Sequence, residues 1–305
     1  MAVFQLGPIL KARREELGLS QEDLADGICA VPTLSRIENG ERMPTKNHFE
    51  MLMQRLGYSA MSVDFFTDKK DFLIYELKFK TRQAYIARNY PQSRMFLKEL
   101  ETLLDKPTKI DTQFVLLHQI LLNQAQLSNA DKLKQLEEAI QLTCPKYMKN
   151  YIPRVLSYDE IILLNIIAIC YDALGDRDRA IHILTILKAY YDRHVISEEE
   201  ALRTQPMILY NLSKYLGLSG RYDECIEICD QGIRLARLTG RCPLLGKTLF
   251  NRAWALIQRN RAGDKDEAER TLKQAVYFSS TMENKQLTST IMNYYEETFG
   301  SPLSI

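Results

Sequence analysis

Apolar positions recur every three to four residues along almost the whole chain, and no stretch sustains a two-residue alternation. That pattern predicts helices and no sheet. The first 65 residues read as four short helices with sharp punctuation. Leu6, Ile9 and Leu10 mark one apolar face, which ends at Leu17-Gly18. Ser20 stands where it caps a second helix, and Asp23 follows three residues on, the spacing of a capping box. This helix is expected to bury Leu24, Ala25 and Ile28. After a turn at Cys29-Ala30, Pro32 suits the first position of a third helix, with Leu34 and Ile37 facing inward and Asn39-Gly40 as its stop. Thr45 caps a fourth helix carrying Phe49, Leu52 and Leu56, closed by Gly57.

From about Asp71 the helices lengthen and pair off. The predicted pairs are 71–88 with 91–104, 110–127 with 130–142, 158–174 with 177–193, 200–218 with 221–238, and 244–260 with 265–281, followed by a last helix over 284–299. Three hairpin turns echo one another: LGDRDRAIHIL (174–184), SGRYDECIEIC (219–229) and AGDKDEAERTL (262–272). Each places a Gly, then an acidic residue, then a small residue: Ala180, Cys225 and Ala268, which stand 45 and 43 residues apart. A period of that length with two helices per unit marks an α-solenoid. The Gly is expected to end the first helix of the pair in a left-handed conformation, and the small residue to let the second helix approach it closely.

Composition narrows the function. Forty Lys and Arg against 39 Asp and Glu leave a net charge of +1 over 305 residues, so any surface for nucleic acid or anionic lipid must be local. The N-terminal residues lack the pattern of a signal peptide. The most apolar segment, Ile161 to Cys170, contains Asn165 and falls well short of the roughly 20 residues that cross a bilayer. A cytoplasmic protein with no membrane contact is expected. The six Cys are scattered through apolar helical patterns and read as reduced core residues; Cys225 and Cys229 lie one turn apart with no further ligand at metal spacing. His48, His118, His182 and His194 are far apart, and no G-x-S-x-G, Walker or G-x-G-x-x-G motif is present. Glu198, Glu199 and Glu200 open a helix, where carboxylates suit the positive end of its dipole. No catalytic residue, no metal site and no cofactor is expected, and the chain does not read as an enzyme.

The run RREELGLSQEDLADGICAVPTLSRIENGERMP, residues 13–44, resembles the helix-turn-helix domain of lambda-repressor-like (XRE-type) proteins. The hairpin turns resemble tetratricopeptide repeats in a longer-period form. Together, in this order and length, they resemble the Rgg/RNPP family of regulators, dimeric cytoplasmic receptors whose repeat domain binds short signalling peptides. The resemblance implies an all-α fold: a helix-turn-helix DNA-binding domain over residues 1–67, then a tetratricopeptide-like α-solenoid over 68–305 for peptide binding and dimerisation.

In such a motif the second helix enters the major groove. With Leu34 and Ile37 facing in, Val31, Pro32, Thr33, Ser35 and Arg36 are left to face DNA. Arg36 is the best base reader, because a guanidinium grips guanine O6 and N7 together. Thr33 and Ser35 suit bases or phosphates, and Val31 and Pro32 suit a thymine methyl. By resemblance, Gln21, Arg42, Lys46 and Asn47 meet phosphates, while Arg14 and Glu38 form a structural salt bridge between the first and third helices. Lys11 and Arg13 are candidate rim contacts. Residues 1–68 carry seven Lys and Arg against ten Asp and Glu, a net charge of −3. A domain of that sign must gather its bases on one face, because phosphate contacts supply much of DNA affinity.

Stacked helix pairs form a concave groove lined by the first helix of each pair, suited to an extended peptide. Asn side chains satisfy the free donors and acceptors of such a peptide at once. Asn165, Asn211 and Asn251 stand 15, 14 and 17 residues before Ala180, Cys225 and Ala268, nearly the same place in three units. Asn123 and Asn293 are less well aligned. Arg82, Gln83, Tyr85, Gln119, Tyr210, Lys214 and Trp254 are the accompanying peptide-binding candidates, whereas Tyr171 reads as core. The peptide's charge stays open. The expected partners are a palindromic double-stranded DNA operator, a short peptide and a second copy of the chain. Two other readings remain: a DNA-tethered adaptor whose repeats bind a partner protein, and a constitutive dimeric regulator with no ligand.

Overall fold

A computed structural model describes residues 6–56, 69–147, 156–193, 198–240, 242 and 244–303. Every regular element among them is helical: α1 (Leu6–Glu16), α2 (Gln21–Ala25), α3 (Val31–Glu38), α4 (Lys46–Arg55), α5 (Lys69–Ile86), α6 (Tyr90–Leu103), α7 (Lys109–Asn123), α8 (Asn129–Gln141), α9 (Tyr158–Ala173), α10 (Arg177–Arg193), α11 (Glu198–Leu218), α12 (Tyr222–Thr239), α13 (Leu245–Arg259), α14 (Asp264–Thr281) and α15 (Lys285–Phe299). Gly57 lies outside the described residues, as do the side chains of Leu6 and Ile9.

Local chemistry sets the helix starts. Full capping boxes open α2 (Ser20 with Asp23), α7 (Thr108 with Asp111) and α9 (Ser157 with Glu160). In each, the hydroxyl takes the N–H three residues on and the carboxylate takes the cap's own N–H, satisfying two otherwise orphaned donors. Thr45 caps α4 by accepting from the His48 N–H, as its sequence position predicts. Pro32 falls at the second residue of α3 rather than the first, because α3 begins at Val31.

The three repeat turns carry left-handed glycines, with φ of 93° at Gly175, 76° at Gly220 and 84° at Gly263. One detail differs from expectation. In the third turn it is Asn260, at φ 53°, that ends α13 in the left-handed form, and Gly263 instead precedes α14. The small residues behave as the repeat pattern requires: Ala180, Cys225 and Ala268 are all fully buried.

The chain forms two compact units, residues 1–174 with 190–200, and residues 175–189 with 201–305. In the first, α1–α4 close around Leu10, Leu19, Leu24, Leu34, Ile37, Phe49 and Leu52. A second cluster, Leu77, Leu97, Leu100, Phe114 and Leu122, joins α5, α6 and α7. The four-helix head is seated on the helices that follow it. Arg55 of α4 and Glu160 of α9 form an ion pair of 2.8 Å with both side chains wholly buried. Arg55 also donates to the carbonyls of Leu24 and Asp26. Burial pushes the Glu160 carboxyl up, but the charge of Arg55 and the Ser157 N–H outweigh it and hold the pKa below the usual range. At the turn before α3, Gly27 has φ 76°, and a Cβ there would stand 1.3 Å from the Thr143 carbonyl oxygen. Only glycine permits this approach.

In the second unit, two arginines of α13 tie its neighbours together. Arg252 bonds Asp230 of α12 at 2.7 Å and Glu267 of α14 at 2.5 Å. Arg259 bonds Asp223 at 2.8 Å and Asp264 at 2.6 Å.

His118 of α7 is buried, with its Nδ1 2.9 Å from the Phe114 carbonyl oxygen. Burial lowers its pKa to about 4, and the neighbouring Asp159 only partly opposes this. The folded state thus binds fewer protons than the unfolded chain between pH 4 and 6.5. Its stabilising contribution is complete above pH 6.5 and is lost as pH falls towards 4, by about 3 kcal/mol in total. Denaturant unfolding at pH 7.0, 6.0 and 5.0 should show this decline, and His118→Gln should flatten it.

Candidate nucleic-acid interface and peptide groove

The outward face of α3 is built by what pins its inward face. Leu34 and Ile37 are buried in the head core, and Glu38 is only 1% exposed. Glu38 accepts from Arg14 Nε at 2.6 Å and Nη2 at 3.0 Å, while Arg14 Nη1 donates to the Leu19 carbonyl at 2.7 Å. This two-pronged pair is the predicted bridge between the first and third helices. Gly7 of α1 lies against the end of α3, where a Cβ would fall 2.0 Å from the Ile37 carbonyl oxygen. The register of α1 on α3 is therefore fixed by both contact and charge.

The opposite face of α3 presents Val31, Pro32 and Arg36 exposed, with Thr33 and Ser35 half-buried beside them. The chain folds back immediately after the helix: the Glu41 and Arg42 N–H groups both donate to the Arg36 carbonyl, at 2.9 and 3.2 Å. Arg42 is thus brought next to Arg36, and both side chains are exposed. Lys11 is exposed, and Arg13 pairs with Glu16.

Two expected phosphate contacts are engaged differently. Gln21 Nε2 donates to Glu38 at 2.7 Å, so one of its two amide protons supports the clamp. Asn47 Nδ2 points at α7, toward Thr108 Oγ1 at 3.3 Å and Asp111 Oδ2 at 3.4 Å. In this structure the Asn47 amide ties the head to the repeats. The side chain of Lys46 lies outside the described residues.

Among the groove candidates of the first unit, Arg82 of α5 donates through Nη2 to both carboxylate oxygens of Asp159 of α9, at 2.9 and 2.7 Å, and stacks over Phe114 with 4.9 Å to the ring centre. Gln119 bonds Glu101. Tyr85 rests against Tyr90, its pKa pushed up by burial. Gln83 is half-buried, and Asn165 is 1% exposed. Tyr171 is buried, as its sequence position implies, with its hydroxyl on Glu137.

The second unit brings its candidates together. Lys247 of α13 lies over the Tyr210 ring of α11 at 5.7 Å. Asn251 donates to Ser213 at 3.2 Å. Trp254 lies against Gly217, whose missing Cβ would stand 3.0 Å from the indole ring, and meets Tyr222 edge-on at 6.0 Å. On the far side of α13, Phe250 packs edge-on against Tyr294 of α15 at 5.4 Å. Helices α11, α13 and α15 therefore form one row, presenting half-buried Tyr210, Phe250, Asn251, Trp254 and Tyr294 with exposed Lys214 and Lys247.

This register corrects one expectation. The Asn251 amide meets Ser213, two residues past Asn211, so the two Asn positions are offset by about half a turn rather than side by side. The sequence offsets of 14 and 17 residues from the small positions already differ by about one turn. Asn211 itself is 7% exposed. Lys247 and Phe250 stand on the same face of α13 as Asn251 and Trp254, as the helical spacing 247, 250, 254, 258 implies, and Tyr294 of α15 packs beside them; none of the three was among the expected residues.

A helix-turn-helix family model matches residues 10–61, and the RNPP family C-terminal domain matches residues 83–299. The chain belongs to the RNPP family. Among solved structures, the fold is similar to Bacillus thuringiensis PlcR in complex with the peptide PapR7 and DNA, at 18% identity and a TM-score of 0.54, covering 97% of this chain and 99% of that one. It is also similar to ComR from S. thermophilus in complex with DNA and its signalling peptide ComS, at 16% identity and a TM-score of 0.52, covering 96% and 99%. The competence regulator ComR from Streptococcus vestibularis in its apo form matches at 16% identity and a TM-score of 0.51, covering 97% and 98%. No curated protein sequence matches the chain. No helix among the described residues is long and apolar enough to cross a membrane.

Replacing Glu38 by Ala strands the Arg14 guanidinium in a buried site, at a cost of about 3–5 kcal/mol. Amide hydrogen exchange should then report lost protection in α1 and α3, with α12–α14 unchanged. Equal protection in both variants would remove the clamp from this account.

Proposed function

We propose that this RNPP-family chain is a sequence-specific DNA-binding transcriptional regulator controlled by a short peptide bound to its repeats. The observation that carries the first half is the α3 surface. A helix of eight residues, about 12 Å long, fits a major groove, and its outer face offers Val31, Pro32, Thr33, Ser35 and Arg36 while Glu38 anchors the inner one. Arg42 follows within reach of the adjoining backbone, and Gln21 keeps one free amide proton for it. The structures of PlcR and ComR, which hold DNA and a signalling peptide, support the pairing of these two roles on one fold.

The division of labour assigns DNA to residues 1–67 and peptide binding with dimerisation to residues 68–305. In the second unit, Tyr210, Asn211, Lys214, Asn251 and Trp254 supply the peptide contacts. Arg82, Gln83, Tyr85 and Gln119 are the corresponding set in the first, while Asn165, expected among them, is buried at 1% exposure and presents no surface to a ligand. The half-buried aromatics of α11 and α13 give apolar area, and the amides serve the peptide backbone. A homodimer with two heads on a palindromic operator, working in the cytoplasm, completes the reading. Two heads offset the −3 charge of residues 1–68 by doubling the basic contacts.

Arg36→Ala tests the recognition helix. Selection from a random duplex library should yield a defined consensus with the wild-type protein. With the variant, that consensus should lose about 1–3 kcal/mol of discrimination at the base pair that Arg36 reads. Circular dichroism should be unchanged, because Arg36 is exposed. An identical consensus from both proteins would overturn the assignment.

A further inference from the structure

The charge that the sequence left open for the peptide is decided by where the acids of the second unit are. Over residues 201–218 and 245–259, helices α11 and α13 carry no Asp or Glu at all. Apart from Arg203, whose side chain lies outside the described residues, their cations fall into two groups. Arg252 and Arg259 face α12 and α14 and are consumed by Asp230, Glu267, Asp223 and Asp264. Lys214 and Lys247 stand on the row shared with α15. Both are exposed, and neither meets a carboxylate among the described residues. Their ammonium groups lie over aromatic rings instead, Lys214 over Tyr215 at 5.4 Å and Lys247 over Tyr210 at 5.7 Å.

An ammonium over a ring face keeps its N–H donors largely unspent, because the ring attracts the charge without offering lone pairs. Two such groups, held on packed helices with the Asn251 amide between α11 and α13, make a site short of negative charge. The carboxylates that α15 brings, Glu296 and Glu297, lie at its C-terminal end beyond Tyr294. An extended cationic ligand would meet two uncompensated lysines here, whereas a carboxylate would find charge-assisted donors.

Building on the proposed peptide control, we infer that the Lys214–Lys247 face of α11 and α13 selects a peptide carboxylate, and so that the cognate peptide is acidic at this subsite. The carboxylate comes from an Asp or Glu side chain or from the peptide's own C-terminus. Both have the same chemistry, and the experiment separates them.

The probe is a positional-scanning heptapeptide library, prepared with free C-termini and again with C-terminal amides. Each form is equilibrated with the full-length protein, and retained peptides are read by mass spectrometry. A side-chain carboxylate predicts enrichment of Asp and Glu at one position in both forms. A terminal carboxylate predicts about ten-fold lower retention of the amidated library. In either case Lys214→Gln/Lys247→Gln should abolish the preference. Lys214→Glu/Lys247→Glu should replace it with enrichment of Lys and Arg. Both lysines are exposed, so circular dichroism should show each variant folded. Retention with no acidic preference and no effect of amidation overturns this inference and leaves peptide control standing. No retention of any heptapeptide by the wild-type protein overturns both.

Discussion

One buried carboxylate organises the helix-turn-helix end of this protein. Glu38 is the last residue of α3, it is almost wholly buried, and it holds Arg14 of α1 and Gln21 of α2 at once. An unpaired carboxylate there would cost several kcal/mol in desolvation, so three helices must meet in one register for it to be tolerated. Everything exposed on α3 follows. With Glu38, Leu34 and Ile37 committed inward, rotation about the helix axis is fixed and Arg36 has only the outer face to occupy.

A second buried carboxylate does the same for the head as a whole. Glu160 caps α9 and receives Arg55 from α4, so a repeat helix and the last helix of the head share one ion. Close approach at Gly27 and the Asn47 bonds to α7 add shape to that charge. A buried pair contributes little net stability over an apolar replacement, yet breaking it is expensive, which makes such pairs devices of orientation more than of strength. The head is thereby coupled to the helices that begin the repeats, the arrangement required if events in the repeats are to reach α3.

The helical fold, the repeat turns and the head were legible because each rests on local chemistry. Caps, left-handed glycines and apolar spacing act within a few residues, and Ser20, Asp23, Gly175 and Gly220 behave as written. The Arg14–Glu38 bridge was reachable through resemblance. The partners of Arg55, Arg82 and Asn47 were not, since they lie 105, 77 and 61 to 64 residues away and nothing local specifies them. The groove shows the same limit. Counting back from the small residues aligned Asn211 with Asn251, but gave neither their offset of about half a turn nor the exposure of Lys247, which depend on how α11 and α13 register against each other.

The account's central claim is that one chain joins sequence-specific DNA reading to peptide control. The most direct test is to incubate the purified full-length protein with sheared genomic DNA from its own source. Recovered fragments are sequenced in the presence and absence of a low-molecular-mass peptide extract of the same cells. The account predicts a small set of fragments sharing an inverted repeat, with recovery that changes when extract is added. Uniform recovery across the genome would contradict the DNA-reading half, and a fixed set indifferent to extract would contradict the peptide half.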